Sequence, residues 1–537
     1  METGKTSVVI VGGGPAGLSA AVFLAWQGVP VVLVERHPGS SPHPRAVGFT
    51  TRTMELCRAV GLGSLIPQVP PGSGRPRRLK VESLAGKWAT DEVQWTPVDA
   101  TKQPPKQLEY SPCTGAALAQ DRLEPILRTR AIELGADVRL STSLLAFEQD
   151  GDGVIASLRA PDGRQYSLTA DYLIAADGHS SGVRQALHIE RDGRGPIQTL
   201  RSVLFRAPLD QYLESGVSQF EIEQPDFKAM LTTYRDGRWL LMFPDDEERD
   251  ESTLKAMVTR AIGRSDVDIE IITTGRWELG ALIADRFSAG RVFLIGDAAH
   301  QLPPSRGGYG ANTGIEDAHN LAWKLASVLS GASTPGLLDT YDAERRPIAW
   351  LRHGQIFNRP DYARVARPSD KEVPLIEDHA MELGQLYRST AVVGAGHELP
   401  PAMRPDQWAG QPGTRAPHIW VTVEGVRSST LDLVQPDWVL LTEDDRWRVA
   451  AAACAEKLGL KLNCVKLGSA SATSSPDATD PQAFLAAFGV GATGASLVRP
   501  DGYVAWRCIE LPADPSSALI AVMQRVACVE REGALTS

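Results

Sequence analysis

The sequence predicts an α/β fold in which a β-rich domain separates two halves of a parallel-sheet domain and a small α/β domain follows. Three observations predict it. Continuous apolar runs within residues 6–36 have a strand–helix–strand order, residues 200–285 are rich in strand-like sequence, and residues 419–537 alternate strand-like and helix-like segments. Parallel strands are covered on both faces, so they read as continuous rather than alternating apolar runs.

Composition narrows the class of protein. A chain of 537 residues is too long for one core, which predicts two or three domains. The net charge of −10 argues against a nucleic-acid partner, and no apolar run is long enough to predict a membrane span. The six cysteines lack CxxC spacing and fit reduced thiols. We therefore predict a cytoplasmic protein without a metal site.

A glycine-rich turn follows the first apolar strand. Residues 12–17 read GGGPAG, so Gly12, Gly14 and Gly17 have the G-x-G-x-x-G spacing between a strand and a helix. The glycines permit a tight turn, close backbone approach to a pyrophosphate and close helix–strand packing. Glu35 ends the next strand, where a carboxylate can accept ribose hydroxyls; alternatively, Glu35 and Arg36 form a surface pair. This pattern predicts a Rossmann-like dinucleotide site.

Two later strands also end in an acid. Residues 172–187 read YLIAADGHSSGVRQAL and place Asp177 at a strand tip, where Arg184 could fix the loop or reach a phosphate. Residues 293–325 place Asp297 after a buried strand, before Pro303-Pro304 and a glycine-rich loop. The bare backbone of residues 307–312 can approach a flat ring, and a helix starting near Thr313 would aim its N–H groups at a developing anion. We predict that the three strand tips converge on one flavin dinucleotide.

These elements, in this order, resemble the group A flavoprotein monooxygenases, the aromatic hydroxylase family. Further similar segments are SPHPRAVGFTTRTMEL (41–56), LAQDRLEPIL (118–127), QPGTRAPHIW (411–420) and LVRPDGYVAWR (497–507). The resemblance implies an FAD-binding domain in residues 1–185, with an excursion at 66–110, and in 288–395 together with a helical linker. It further implies a β-rich substrate domain at 186–287 and a thioredoxin-like domain without CxxC at 400–537.

The motifs and the resemblance together predict a set of FAD contacts. They are Gly12, Gly14, Pro15, Ala16, Gly17, Glu35, Arg36, Arg45, Ala46, Gln120, Asp177, Asp297, Pro304, Gly307, Gly310, Ala311 and Asn312.

The family resemblance implies an FAD-dependent monooxygenase that uses transiently bound NADPH and O2, through a flavin C4a-hydroperoxide, to hydroxylate an aromatic or polyketide-like small molecule. It also implies a monomer or homodimer. The sequence departs from the family pattern twice: Ser180 replaces an arginine, and seven residues rather than six (SRGGYGA, 305–311) precede Asn312. The longer loop is either a tolerated variant or a change in how the ring is seated, which keeps other chemistry open. The alternatives are a non-redox [4+2] cyclase of spirotetramate or spirotetronate type and Baeyer–Villiger oxygen insertion.

No residue is identified as a catalytic base. His300 is interpreted as a structural part of its loop, and Arg52 and Arg306 are candidates near the ring. The candidate substrate contacts are Tyr309, Trp239, Phe243 and Trp277. The three second-domain aromatic residues among them could instead pack the sheet of that domain.

Overall fold

The computed structural model describes residues 3–71, 73, 77–92, 108–305, 308–362, 365–368, 373–423, 426–434, 436–467 and 482–529. The predicted contacts Arg306 and Gly307 lie outside these residues. So does much of the proline-rich part of the predicted excursion.

The strands are named in chain order: β1 (Thr3–Val11), β2 (Val31–Val34), β3 (Arg77–Val81), β4 (Trp88–Glu92), β5 (Asp137–Arg139), β6 (Ser143–Gln149), β7 (Val154–Arg159), β8 (Gln165–Ala175), β9 (Arg191–Arg206), β10 (Val217–Gln224), β11 (Phe227–Thr233), β12 (Arg238–Phe243), β13 (Glu270–Ala284), β14 (Ser288–Ala289), β15 (Val292–Leu294), β16 (His300–Gln301), β17 (Trp420–Val423), β18 (Val426–Ser429), β19 (Trp438–Thr442), β20 (Leu462–Lys466), β21 (Ala495–Val498) and β22 (Val504–Cys508).

The α-helices are α1 (Pro15–Trp26), α2 (Thr51–Ala59), α3 (Gln120–Glu133), α4 (Gly182–Ala186), α5 (Glu251–Ile262), α6 (Tyr309–Leu329), α7 (Asp339–Phe357), α8 (Asp378–Leu383), α9 (Pro405–Trp408), α10 (Arg446–Leu458), α11 (Ala483–Phe488) and α12 (Pro515–Val526). Short 3-10 turns occur at Asp210–Leu213, Gly296–Ala298, Pro335–Leu337, Pro360–Tyr362 and Thr430–Leu433.

The first sheet has the order β14-β15-β8-β1-β2-β5, and β6 and β7 extend it beside β8 as an antiparallel hairpin. Its central strands β15, β8, β1, β2 and β5 are parallel. Every residue of Val31–Val34 is buried, as the continuous apolar run predicted. The sequence-based fold class is therefore confirmed for this domain.

The second sheet has the order β16-β13-β9-β12-β11-β10-β3-β4. The long strands β9 and β13 pair along almost their whole length and lead the chain out of the first domain and back. Strands β3 and β4 come from the predicted excursion, and β3 pairs in parallel with β10. The sequence did not predict this pairing, because β3 meets a strand about 140 residues further along the chain.

The C-terminal domain contains a mixed sheet of order β20-β19-β21-β22, with β19 and β20 parallel and β21 antiparallel to both neighbours. Helices α10 and α12 contribute to the same buried cluster as the sheet. This agrees with the predicted α/β alternation, while the thioredoxin-like assignment stays a prediction.

Buried ion pairs join the C-terminal domain to the first domain. Arg499, just after β21, places its guanidinium 2.6 Å from the carboxylate of Glu344 on α7. Arg415 lies 2.7 Å from Glu55 on α2, and Arg52 also contacts Glu55. All these side chains are almost fully buried. Removing one member of such a pair leaves an uncompensated buried charge.

We expect Glu344→Gln to lower the free energy of unfolding by about 3–5 kcal/mol, since Arg499 and Lys324 would lose their shared carboxylate. Denaturant unfolding followed by circular dichroism measures this. The matched control is Glu251→Gln, which removes an exposed ion pair to Lys255 of similar length, 2.8 Å, and is expected to cost less than about 1 kcal/mol. Equal effects of the two variants would contradict the prediction.

The contribution of Glu55 to the free energy of unfolding depends on pH. Burial raises the pKa of Glu55, but Arg415 and Arg52 more than offset it and lower the pKa to about 2. The stability contributed by the ionised carboxylate is therefore present above its unfolded pKa of about 4.3 and is lost as the pH falls toward 2. We expect the difference in unfolding free energy between wild type and Glu55→Gln to be constant from pH 7 to 5 and to shrink below it. A difference that grows on acidification would show the sign to be wrong.

Candidate active site

The three predicted strand tips are adjacent in the first sheet. Strand β8 lies between β1 and β15, and its end is bonded to both: Ala176 N donates to Val11 O at 2.8 Å, and Ile295 N donates to Ala175 O at 3.0 Å. Carboxyl ends of neighbouring parallel strands meet at one edge of a sheet, which is where open α/β sheets bind ligands. The predicted convergence of these tips is confirmed.

The glycines of the glycine-rich turn differ in whether a side chain would fit in their place. Gly12 has φ +110, and a Cβ there would lie 2.3 Å from Ala176 O. A Cβ on Gly17 would lie 1.9 Å from Gly12 O, so neither position accepts a larger residue. At Gly14 no atom would lie within 4 Å of an added Cβ. The space above Gly14, at the start of α1, is free for a ligand that approaches the backbone.

Glu35 lies over the same turn. Its Oε2 accepts a hydrogen bond from Gly13 N at 2.6 Å, and its Oε1 accepts one from His37 N at 2.8 Å. Arg36 beside it is exposed. Glu35 therefore borders the turn that would hold a dinucleotide, whereas no hydrogen bond from another described residue holds Arg36 toward it.

Asp177 and Arg184 shape the loop after β8. Asp177 Oδ2 accepts a hydrogen bond from Val183 N at 3.2 Å. Asp177 Oδ1 is buried and has no hydrogen-bond partner among the described residues. Arg184 is buried and donates to Ala298 O and His179 O, both at 2.9 Å. Of the two predicted roles for Arg184, the structure supports loop fixation and not contact with a phosphate.

Arg45 and Asp297 form an ion pair on the cavity wall, 3.8 Å apart, and both are partly exposed. The segment with Arg45 is held by Gln120, whose N–H donates to Ala46 O at 2.9 Å and whose Oε1 accepts from Ala46 N at 3.3 Å. These contacts explain why two segments 74 residues apart in sequence border one site.

Helix α6 begins at Tyr309, four residues before the predicted start near Thr313. The reason is Gly308, which adopts the left-handed conformation at φ +61 and starts the helix early. Asn312 stabilises this first turn: its Oδ1 accepts from Thr53 Oγ1 at 2.6 Å and its Nδ2 donates to Gly308 O at 2.6 Å. The positive ends of both α1 and α6 thus border the cavity, which favours negatively charged ligand groups there.

His300 is structural, as interpreted from the sequence. It is fully buried, with its Nε2 2.6 Å from Asp317 Oδ2. Asp317 also accepts from Gly296 N at 3.1 Å and from Arg345 Nε at 2.7 Å. Burial raises the pKa of Asp317, but His300 and Arg345 more than offset it and lower the pKa to about 2. Asp317 and Arg345 were not identified from the sequence. Charged residues at positions of a helix that is otherwise apolar could have indicated them.

A single cavity of about 1350 Å³ connects these elements. Predicted contacts on its wall are Gly14, Pro15, Ala16, Arg45, Ala46, Gln120, Asp297, Pro304, Gly310, Ala311 and Asn312. The cavity lining does not include Gly12, Gly17, Glu35, Arg36 or Asp177.

The opposite wall comes from the second domain. Trp277, Leu279, Tyr234, Thr232 and Gln219 border the cavity, and Tyr309 borders it from α6. The wall is therefore part aromatic and part polar, as a substrate with a flat ring and oxygen substituents would need.

Of the two interpretations of Trp239 and Phe243, packing of the second-domain sheet is confirmed and the substrate wall is wrong. Both are fully buried on the other face of the second sheet, in a core that includes Val258 of α5. Side chains alternate along a strand, so these positions of β12 face α5 while Leu240 faces the first domain. The run RWLLMF is apolar on both faces of the strand, so it carries no signal that could have shown which face borders the cavity.

The residues present fit FAD. Gly14 leaves space for close backbone approach, and two helix N-termini border the same cavity as Asp297. Ser305 Oγ, also on the cavity wall, is buried without a hydrogen-bond partner among the described residues. The cavity exceeds the roughly 300–1,000 Å³ of a typical ligand pocket, which leaves room for a substrate beside the cofactor ring.

Known proteins show the same organisation. Residues 5–353 match the family described as FAD binding domain, and residues 409–527 match the family described as aromatic-ring hydroxylase, C-terminal. A 4-methyl-5-nitrocatechol 5-monooxygenase from Burkholderia sp is 38% identical over 550 residues, which cover 98% of each chain. An aklavinone 12-hydroxylase from Streptomyces purpurascens is 38% identical over 549 residues, covering 98% of this chain and 99% of the relative.

A solved structure matches over the same extent. The crystal structure of an aklavinone-11 hydroxylase in a ternary complex with FAD and aklavinone has a TM-score of 0.84 and 36% identity, covering 98% of this chain and 100% of the other. The strand-tip geometry, the glycine-rich turn and these matches lead to one conclusion: this chain belongs to the FAD-dependent aromatic-ring hydroxylases, the group A flavoprotein monooxygenases.

Proposed function

We propose that this protein hydroxylates a bulky aromatic polyketide, using NADPH and O2. The observation that carries the proposal is the shared cavity of about 1350 Å³, which has the predicted FAD contacts on one wall and Trp277 and Tyr234 on the other. Beside FAD, a small phenol would leave more of this cavity to water than a multi-ring compound would. A multi-ring substrate would fill it and exclude water from the reacting centre.

The residues have separable roles in this proposal. Gly14 and the start of α1 bind the pyrophosphate of FAD. Glu35 accepts hydrogen bonds from the ribose hydroxyls, and Asp297 accepts one from a ribityl hydroxyl. When bound and reduced by NADPH, FAD supplies the activation of O2. The first turn of α6 stabilises negative charge on the ring, and the second-domain wall orients the substrate.

Relatives support the substrate class without deciding the substrate. Their names describe both aklavinone hydroxylases and a nitrocatechol monooxygenase, so large and small aromatic compounds are each represented. The volume of the cavity favours the larger class. The location and assembly of the protein also stay predictions: a cytoplasmic monomer or homodimer. The described part of the chain contains no helix long and apolar enough to span a membrane.

We expect Gly14→Val to fold but to bind FAD at least about a hundredfold more weakly, because the side chain would occupy the open space above the turn. A hundredfold loss corresponds to about 2.7 kcal/mol, roughly one hydrogen bond to a charged group. Equilibrium titration of apoprotein with FAD measures it. The control is Gly354→Ala on α7, where an added Cβ also meets no atom, and where FAD affinity should be unchanged. A Gly14→Val protein that binds FAD as tightly as wild type would contradict the assignment.

The function itself is tested with two probes, aklavinone and 4-methyl-5-nitrocatechol. We expect aklavinone to stimulate NADPH oxidation and to yield a product with one added oxygen on a ring carbon, and the smaller probe to stimulate NADPH oxidation much less. Mass spectrometry and product structure identify the outcome. An unchanged product mass would indicate cyclisation, and oxygen inserted into a ring C–C bond would indicate Baeyer–Villiger chemistry; either result would overturn the proposed hydroxylation.

A further inference from the structure

A hydrogen-bond chain crosses from the first domain to the substrate wall of the second. The Nε2 of His43 lies 2.9 Å from Ser202 Oγ on β9, and the indole Nε1 of Trp277 on β13 donates to the same oxygen at 2.8 Å. The rings of His43 and Trp277 also pack edge to face, with centroids 5.3 Å apart. Trp277 borders the cavity, whereas His43 and Ser202 lie behind it.

The second sheet has a gap shaped for the histidine. Gly275 pairs with Ser202 across β13 and β9, and a Cβ on Gly275 would lie 2.8 Å from two atoms of the His43 ring. It would also lie 2.9 Å from Ser202 Oγ. Any larger residue at position 275 would therefore displace the ring from the serine, so the interdomain contact depends on this glycine.

The segment 43–46, which we call the bridge segment, is bound on both sides. Toward the second domain, Tyr234 OH donates to Pro44 O at 2.8 Å, and Tyr234 also borders the cavity. Toward the cofactor side, Arg45 lies 3.8 Å from Asp297, and Ala46 pairs with Gln120. Four consecutive residues thus contact the predicted FAD side and two aromatic side chains of the substrate wall.

The direction of the hydrogen bonds limits what Trp277 can offer to a ligand. A serine hydroxyl has one proton, so Ser202 accepts from Trp277 and donates either to a neutral His43 or to Gly275 O, which lies 3.4 Å away. Burial lowers the pKa of His43, which favours this neutral form. Because Ser202 engages the indole N–H, Trp277 presents its ring to the cavity and not a hydrogen-bond donor.

We propose that His43 and Ser202 are positioning residues that set the orientation of Trp277, and that Trp277 is a specificity-determining residue that aligns the flat part of the substrate with the cofactor. The inference rests on the proposed function in taking the substrate to be a planar aromatic compound. The bridge segment then couples the cofactor side to the substrate wall. A shift of either wall changes the distance between the reacting atoms, to which hydroxylation is sensitive.

The test compares Ser202→Ala and Trp277→Phe, which keeps an aromatic wall but lacks the N–H, with a control. The control is Trp88→Phe, since Trp88 also donates its indole N–H, to Leu84 O at 2.9 Å, but does not border the cavity. With aklavinone, both test variants are expected to raise KM about fivefold, as for the loss of one hydrogen bond. In both, at least about half of the NADPH consumed should reduce O2 to hydrogen peroxide instead of supporting hydroxylation, because a misaligned ring is not attacked. In Trp88→Phe, the KM, the coupling, the FAD content and the NADPH oxidation without substrate should all stay at wild-type levels.

A substrate-free measurement separates this inference from the proposed function. In protein labelled with fluorotryptophan, the 19F resonance missing from Trp277→Phe identifies Trp277. Ser202→Ala and His43→Ala should each shift it, since Ser202 accepts the indole N–H and the His43 ring packs directly on Trp277. The Trp88 resonance should not move. An unshifted Trp277 resonance, or wild-type KM and coupling in Ser202→Ala, would overturn the inference; a wild type that hydroxylates neither probe would overturn only the proposed function.

Discussion

The carboxylate of Asp317 is the contact on which the geometry of the site depends. It accepts hydrogen bonds from the backbone of Gly296, from His300 and from Arg345, in surroundings that exclude water. Asp317 belongs to α6, and Gly296 lies at the tip of β15. The carboxylate therefore holds the first turns of α6 against the strand end that carries Asp297. Without it, Arg345 would be a buried cation with one remaining carboxylate partner, Glu316.

The same pair of helices also holds the C-terminal domain. Arg345 and Glu344 are neighbours on α7; Arg345 binds Asp317 toward the cofactor side, and Glu344 binds Arg499 of the C-terminal domain. Tyr387 stacks on Tyr503 with ring centroids 4.0 Å apart and accepts a hydrogen bond from Arg345 at 2.7 Å. A C-terminal domain without CxxC thus has a structural role, since it supplies charges that the buried helices require.

The two walls of the cavity differ in how they contact a ligand. The cofactor side consists largely of backbone, glycine and alanine at the starts of two helices, and such a surface suits phosphate and a flat ring. The second domain instead presents Trp277, Tyr234 and polar side chains from a largely antiparallel sheet. Side chains on a strand can be exchanged without changing the backbone, so this wall is where relatives of one fold can differ in substrate.

The sequence by itself determined the glycine-rich turn, the parallel apolar strands and the acids at the strand tips. These features are local: Gly12 needs a positive φ, and buried parallel strands need continuous apolar residues. Gly308 permits the early start of α6, but only the tertiary structure decided that the helix begins at Tyr309, because the side chain of Asn312 is held by Thr53, 259 residues away. It also decided that Trp239 faces α5 while Trp277 faces the cavity. The sequence of a strand does not show which element will cover each of its two faces.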